Sequence, residues 1–256
     1  MKRLPFWKRP YGARRVLDIG AGHNPFHGAT HLLEIDLQEG RERGGQQVHV
    51  PESATLTVGD ISALPYRTGS FDYVYSSHIL EHVTDPIVAC REIMRAGRAG
   101  YVETPAPFLE QGLARYAKIS PDQWFHRWYV FVDRQQRLIF EPKTPDEVDR
   151  FCSCRAGQFM KEFYDSVDFR EAQHCFPSHA KRSVLYWRGS FVSDVRTHMV
   201  DCRREQKPCR FDSMLAGLVR GCNDVFRAPR LLSLRRKFPA CLSVFQKYGV
   251  ATIFVR

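Results

Sequence analysis

Short apolar runs alternate with polar or helical stretches from residue 14 to about residue 104, the pattern of a parallel sheet covered by helices. The runs predict strands over residues 15–19, 31–35, 55–58, 71–75 and 100–103. Between the last two, Ile79, Leu80, Val83, Ile87, Val88, Ile93 and Met94 recur at spacings that fit one helical face. They predict a helix over residues 78–95 that joins two parallel strands.

The pattern changes after Pro105-Ala106-Pro107. Aromatic and β-branched runs over residues 128–132 and 138–140, split by the polar residues 133–137, read as a hairpin. Thr144-Pro145-Asp146-Glu147 is a capping box with proline at the first helical position, so a helix is expected over residues 145–164. A further strand is expected over residues 183–187 or 191–195. The tail reads as helices over residues 213–226 and 239–248, the second stopped by Gly249, and a last strand over residues 250–255.

This order predicts a Rossmann-like α/β fold: a doubly wound, mostly parallel sheet with an added β-hairpin and a basic helical C-terminal extension. The expected divisions are a basic arm over residues 1–13, one main domain over residues 14–199 and the extension over residues 200–256. Within the main domain, residues 14–107 and 108–199 form two halves.

Charge sharpens the division. Of a formal net charge of +10, residues 1–15 supply +6 and residues 207–256 supply +8, so the intervening residues are four net negative. Basic ends suit a nucleic acid, an anionic lipid surface, or plain solubility, and charge alone does not choose among them. No run approaches ~18 consecutive apolar residues and the basic start has no apolar segment after it, so a cytoplasmic, soluble protein is expected. Residues 227–237 mix Arg227, Arg230, Arg235, Arg236 and Lys237 with Leu231, Leu232 and Leu234, which would allow contact with the inner membrane surface. The eight cysteines are irregularly spaced. Cys152-Ser153-Cys154 lacks the gap usual at zinc sites, and neither His174-Cys175 nor the pair Cys202 and Cys209 completes one, so no metal site is expected.

The first strand runs into Asp18-Ile19-Gly20-Ala21-Gly22-His23-Asn24-Pro25. Gly20 and Gly22 let the backbone pass close to a ligand where a Cβ would obstruct it, and Asn24 tolerates positive φ at the third small position. A dinucleotide fingerprint would want Gly or Ala where Pro25 stands, which argues against NAD. Asp36 follows the second strand, where a carboxylate can accept both hydroxyls of an adenosine ribose.

The next stretch separates the candidates. Gly59-Asp60-Ile61, then Leu64-Pro65, Phe71-Asp72-Tyr73-Val74 and Leu80-Glu81-His82 follow in order. Together with Asp18-Ile19-Gly20-Ala21-Gly22 they resemble the class I methyltransferases, particularly the broad group with a Leu-Glu-His helix after the fourth strand. The resemblance spans about residues 14–107 and implies S-adenosylmethionine as cofactor. By it, Asp18, Gly20, Gly22 and Asn24 would surround the methionine part and Asp36 with Leu37 would hold the ribose. Asp60 with Ile61 would edge the adenine, and Ser76, Ser77 and His78 would face the methyl-donor side. Each residue has a plainer reading, Asp18 as a turn carboxylate and Asp60, Ser76 or Ser77 as helix caps. The path from Asn24 to His31 is too short for the long first helix usual in this fold.

Methyl transfer from a sulfonium needs no nucleophilic side chain; the protein positions the acceptor and excludes water. For a hydroxyl acceptor a neutral imidazole is the best-matched base, which singles out His78, His82 and His126. On the predicted helix His78 and His82 would share one face. His126-Arg127-Trp128 follows the fifth strand, where this architecture places acceptor loops, and its aromatics with Arg127 would suit a sugar or sugar phosphate. Gly20-Ala21-Gly22-His23-Asn24-Pro25, Ala89-Cys90-Arg91-Glu92-Ile93-Met94-Arg95, Gly100-Tyr101-Val102-Glu103-Thr104-Pro105 and then His126-Arg127-Trp128 before the hairpin together resemble a subgroup met among bacterial surface-polysaccharide and glycolipid enzymes. The leading expectation is therefore O-methylation of a small molecule or glycan. An RNA methyltransferase and a non-catalytic cofactor-binding scaffold are the alternatives, and oligomeric state is open.

Overall fold

A computed structural model describes residues 12–38, 45–107, 110, 126–133, 135–143, 162 and 182–196. Six strands form the main sheet. In chain order they are β1 (Val16–Ile19), β2 (His31–Glu34), β3 (Thr55–Val58), β4 (Tyr73–Ser77), β5 (Ala99–Pro105) and, much later, β8 (Arg182–Arg188). Their spatial order is β3-β2-β1-β4-β5-β8, and the first five pair in parallel throughout. Reversal on either side of β1 puts a topological switch point between β1 and β4, where doubly wound sheets bind ligands beyond the carboxyl ends of their strands. A second sheet holds the predicted hairpin, β6 (Trp128–Val132) and β7 (Leu138–Pro142), with β9 (Ser193–Val195) parallel to β7. Both places expected for a later strand are thus occupied, by β8 and β9.

Period-two alternation divides the core between the two faces of the main sheet. Leu17, Ile19, Leu33, Val74 and Val102 point one way and pack with Leu80, Ala89, Cys90, Ile93 and Ala96. Val16, Leu32, Tyr73, Tyr75 and Tyr101 point the other way and pack with Ala21, Phe26 and Ala29. No helix stands among the described residues between β1 and β2, as the short path to His31 predicts. Aromatic rings cover the sheet there instead. Phe26 stacks on Tyr75 at 4.6 Å, Tyr75 on Tyr101 at 5.0 Å, and Tyr101 meets Tyr186 of β8 at 5.0 Å.

The helix predicted over residues 78–95 is much shorter. It is α1 (Pro86–Ala96), begun by Asp85, whose carboxylate accepts from the N–H groups of Ile87 and Val88 at 3.0 Å each. Proline at position 86 can start a helix but cannot sit inside one, because it lacks the N–H and crowds the preceding turn. Residues 78–85 therefore form a turn-rich loop, and His78, at φ 61°, is left-handed. α1 buries Ala89, Cys90, Ile93 and Ala96 against the sheet. Its outer side grips the loop before β4: Glu92 accepts from Leu64 N–H at 2.8 Å, and Arg95, paired with Glu92, donates to the carbonyls of Leu64 and Tyr66.

β4 also begins two residues later than its apolar run suggests and ends later, so Ser76 and Ser77 lie within the strand, opposite Val102 and Glu103. Gly100 on β5 is required by packing, since a Cβ there would lie 2.4 Å from the Val74 carbonyl and 2.7 Å from the Trp187 ring.

Residues 12–38, 45–105, 126–142 and 183–196 belong to one compact unit and the remaining described residues to a second. In the second, Glu110 and Lys143 form a buried ion pair. The helices and strand expected over residues 145–164, 213–226, 239–248 and 250–255 lie outside the described residues, as do the basic arm, the extension and the cysteines from Cys152 onward. No helix among the described residues is long and apolar enough to cross a membrane.

Candidate active site

β1 ends in a turn in which Gly20 and Gly22 both take positive φ, 66° and 57°. That conformation is accessible to glycine at no steric cost, and at Gly20 a Cβ would also strike the Ile79 side chain at 1.9 Å. Two buried carboxylates shape the turn. Asp18 accepts from Phe26 N–H at 2.7 Å and so fixes the return path. Glu34, at the end of β2, accepts from Gly22 N–H at 2.5 Å. Asn24 closes the turn through its N–H to the Ala21 carbonyl.

Glu34 is a residue that the sequence reading missed. Its signal is its position: it ends the β2 run and stands two residues before Asp36. Asp36 itself lies beyond the strand and is exposed, with Oδ1 accepting from Gln38 N–H at 3.0 Å. Leu37 beside it is 53% exposed. Asp60 caps a short 3-10 turn (Ile61–Ala63), accepting from Ser62 N–H at 2.7 Å, so its plainer reading as a cap holds. Ile61 is buried in the core beneath it. The exposed Asp36, Leu37 and Asp60 thus follow the carboxyl ends of adjacent strands β2 and β3.

At the carboxyl end of β4, Ser76 is buried, and its Oγ has no hydrogen-bond partner among the described residues. Ser77 Oγ donates to Glu103 at 3.3 Å, and Tyr101 OH also donates to that carboxylate. His78 sits between two buried acids, with Nδ1 3.3 Å from Glu81 and Nε2 3.4 Å from Glu103. Burial works against the imidazolium, but hydrogen bonds and charge from Glu103 and Glu81 outweigh it and push His78 up to about 9. Held as a cation at neutral pH, His78 is poorly placed to serve as a base. The shared helical face expected for His78 and His82 does not exist, because proline confines the helix to residues beyond 85.

His126 and Arg127 come from a segment far away in sequence that is laced onto this loop. Arg127 and Trp128 N–H groups donate to the Glu81 carbonyl at 2.7 and 3.2 Å, and the Trp128 indole donates to the Val83 carbonyl at 2.7 Å. The His126 ring consequently lies 4.4 Å from that of His82, nearly perpendicular to it. Arg127 is exposed. The site so assembled has a glycine turn with two acids, an exposed carboxylate just beyond β2, and a histidine-rich rim.

Residues 17–101 match the family described as a methyltransferase domain. Among curated proteins the chain is similar to a demethylmenaquinone methyltransferase of Roseiflexus, 28% identical over 46% of this chain and 51% of that one. It is also similar to a malonyl-[acyl-carrier protein] O-methyltransferase of Erwinia pyrifoliae, 33% identical over 39% of each chain. The chain spans about half the length, or less, of these relatives. Among solved structures, an S-adenosylmethionine-dependent methyltransferase from Mesorhizobium loti aligns over 52% of this chain and 58% of that one, with 24% identity and a TM-score of 0.30. The family match and the parallel sheet together make the matched region a class I methyltransferase domain. Its cofactor is S-adenosylmethionine, as the motif resemblance implies.

The residues present fit that cofactor. The positive-φ turn at Gly20 and Gly22, the orphaned Ser76 Oγ next to it in register with Ile19, and the exposed Asp36 carboxylate offer polar groups at the carboxyl ends of β1, β4 and β2.

Proposed function

We propose that the protein transfers the methyl group of S-adenosylmethionine to a hydroxyl of a small-molecule or sugar acceptor. The observation that carries this reading is the glycine turn braced by Asp18 and Glu34 at the switch point of the sheet. The Erwinia relative, an O-methyltransferase, supports oxygen as the atom methylated.

Bound in this turn, the cofactor supplies an activated methyl group together with its leaving group. The chain's own residues position. Asp36 would accept from the ribose hydroxyls, Leu37 and Asp60 would border the adenine with Ile61 backing Asp60 from the core, and Ser76 would orient the methionine end. His126 and Arg127, pinned to the loop after β4 by the Glu81 carbonyl, form the acceptor side. Arg127, exposed and rigidly planar, is suited to a sugar hydroxyl or phosphate. The basic residues 227–237 would hold the protein near an anionic membrane if the acceptor were lipid-linked.

The test is transfer of labelled methyl from S-adenosylmethionine to a panel of free sugars, sugar phosphates and phenolic or quinol acceptors, with products resolved by mass spectrometry. An O-methyl ether, reduced at least tenfold in the Arg127→Ala variant, is the expected product. Transfer only to carbon or nitrogen would overturn the acceptor reading and leave the cofactor reading standing.

A further inference from the structure

Glu81, His82 and His126 bring one ligand atom each within 4.8 Å of one another. The arrangement is built rather than incidental, because the Glu81 carbonyl receives two backbone N–H groups from the segment that carries His126, and Trp128 ties the same segment to Val83. The Glu81 carboxylate is a second, independent observation. It is 1% exposed, its Oε1 faces His78 Nδ1 at 3.3 Å, and its Oε2 has no hydrogen-bond partner among the described residues. A buried carboxylate with one oxygen left without a donor is costly, and a cation between it and two imidazoles would remove that cost.

We propose that Glu81, His82 and His126 bind a divalent transition-metal ion, with Zn2+ favoured. Two imidazoles and one carboxylate are the donor set of three-ligand zinc sites that keep a further position open. In such sites bonds of ~2.1 Å place ligand atoms ~3.4 Å apart, so modest side-chain rotation closes the present spread. His78 then orients the Glu81 ligand from behind, the usual partner arrangement for a metal-binding carboxylate. Spacing along the chain does not reveal this set, because His126 is remote from Glu81-His82 and only Cys152-Ser153-Cys154 and His174-Cys175 look like ligand pairs. The metal site stands independently of the acceptor assignment. If both hold, the open position is where an acceptor oxygen would be polarised.

The experiment uses the full chain, stripped with a chelator and titrated with Zn2+ by calorimetry and with Co2+ by visible spectroscopy. One equivalent should bind, and the Co2+ form should show four- or five-coordinate d–d bands without thiolate charge transfer. Glu81→Gln and His126→Ala should each weaken Zn2+ at least tenfold, with folding checked by near-UV circular dichroism. No binding by the wild-type chain, a thiolate spectrum, or unchanged affinity in folded Glu81→Gln would overturn the proposal. If His126→Ala fails to fold, the wild-type spectrum and Glu81→Gln decide.

Discussion

Phe26→Ala tests whether an aromatic ring replaces the missing first helix. Phe26 is 2% exposed, stacks on Tyr75 at 4.6 Å and 12° between planes, and is anchored by its N–H on Asp18. Removing a buried phenyl ring costs about 3–5 kcal/mol, transfer and residual cavity together. Phe26→Leu keeps most of the volume and loses chiefly the stacking, about 0.5–1.5 kcal/mol. Urea denaturation of both variants gives the comparison. A double-mutant cycle with Tyr75→Leu should return a coupling of about 0.5–1.5 kcal/mol, since the rings touch. A loss below about 0.5 kcal/mol for Phe26→Ala is what a surface position would give, and it would refute the view that this ring closes the core.

Asp85→Ala should lower stability by about 0.5–2 kcal/mol, the ordinary cost of an N-cap, read as a shift in the urea midpoint without a change in slope. Glu92 is held below its ordinary value of 4.5, chiefly by its hydrogen bond to Arg95. Its contribution is therefore present above pH 4.5 and is lost as pH falls through the depressed folded value. The stability gap between wild type and Glu92→Gln should shrink on acidification below pH 4.5; a gap constant with pH would contradict the pairing. Gly100→Ala forces a methyl group against the Val74 carbonyl and the Trp187 ring, and should lower stability by about 1–3 kcal/mol in the same denaturation assay.

The strands were legible because each is a short apolar run bounded by polar or turn residues, and all five of the parallel strands form where the pattern places them, to within a few residues. Helical periodicity over residues 78–95 misled, since Ile79, Leu80 and Val83 pack on the core from a loop; the stop signal, Asp85-Pro86, was present and is stronger than the spacing. The glycine turn was legible from motif and order, as were the places of Asp36 and Asp60 just after β2 and β3, whereas Asp60 stands there as a cap. Glu34, Glu81 and Glu103 were not, because a carboxylate inside an apolar run says nothing about its partners until the fold supplies them. His78 shows the same limit. Its imidazole was a plausible base in sequence, and only the two acids beside it reveal that it is held charged.

The most direct test of the cofactor assignment is calorimetric titration of the purified protein with S-adenosylmethionine and, separately, NAD, beside the Asp36→Ala variant. A carboxylate that accepts the ribose hydroxyls contributes about 1.5–3 kcal/mol per charged hydrogen bond, so the variant should bind at least tenfold more weakly. Saturable S-adenosylmethionine binding that weakens in this way, with none to NAD, is the predicted result. A folded wild-type protein that binds no S-adenosylmethionine, or that binds NAD instead, would contradict it.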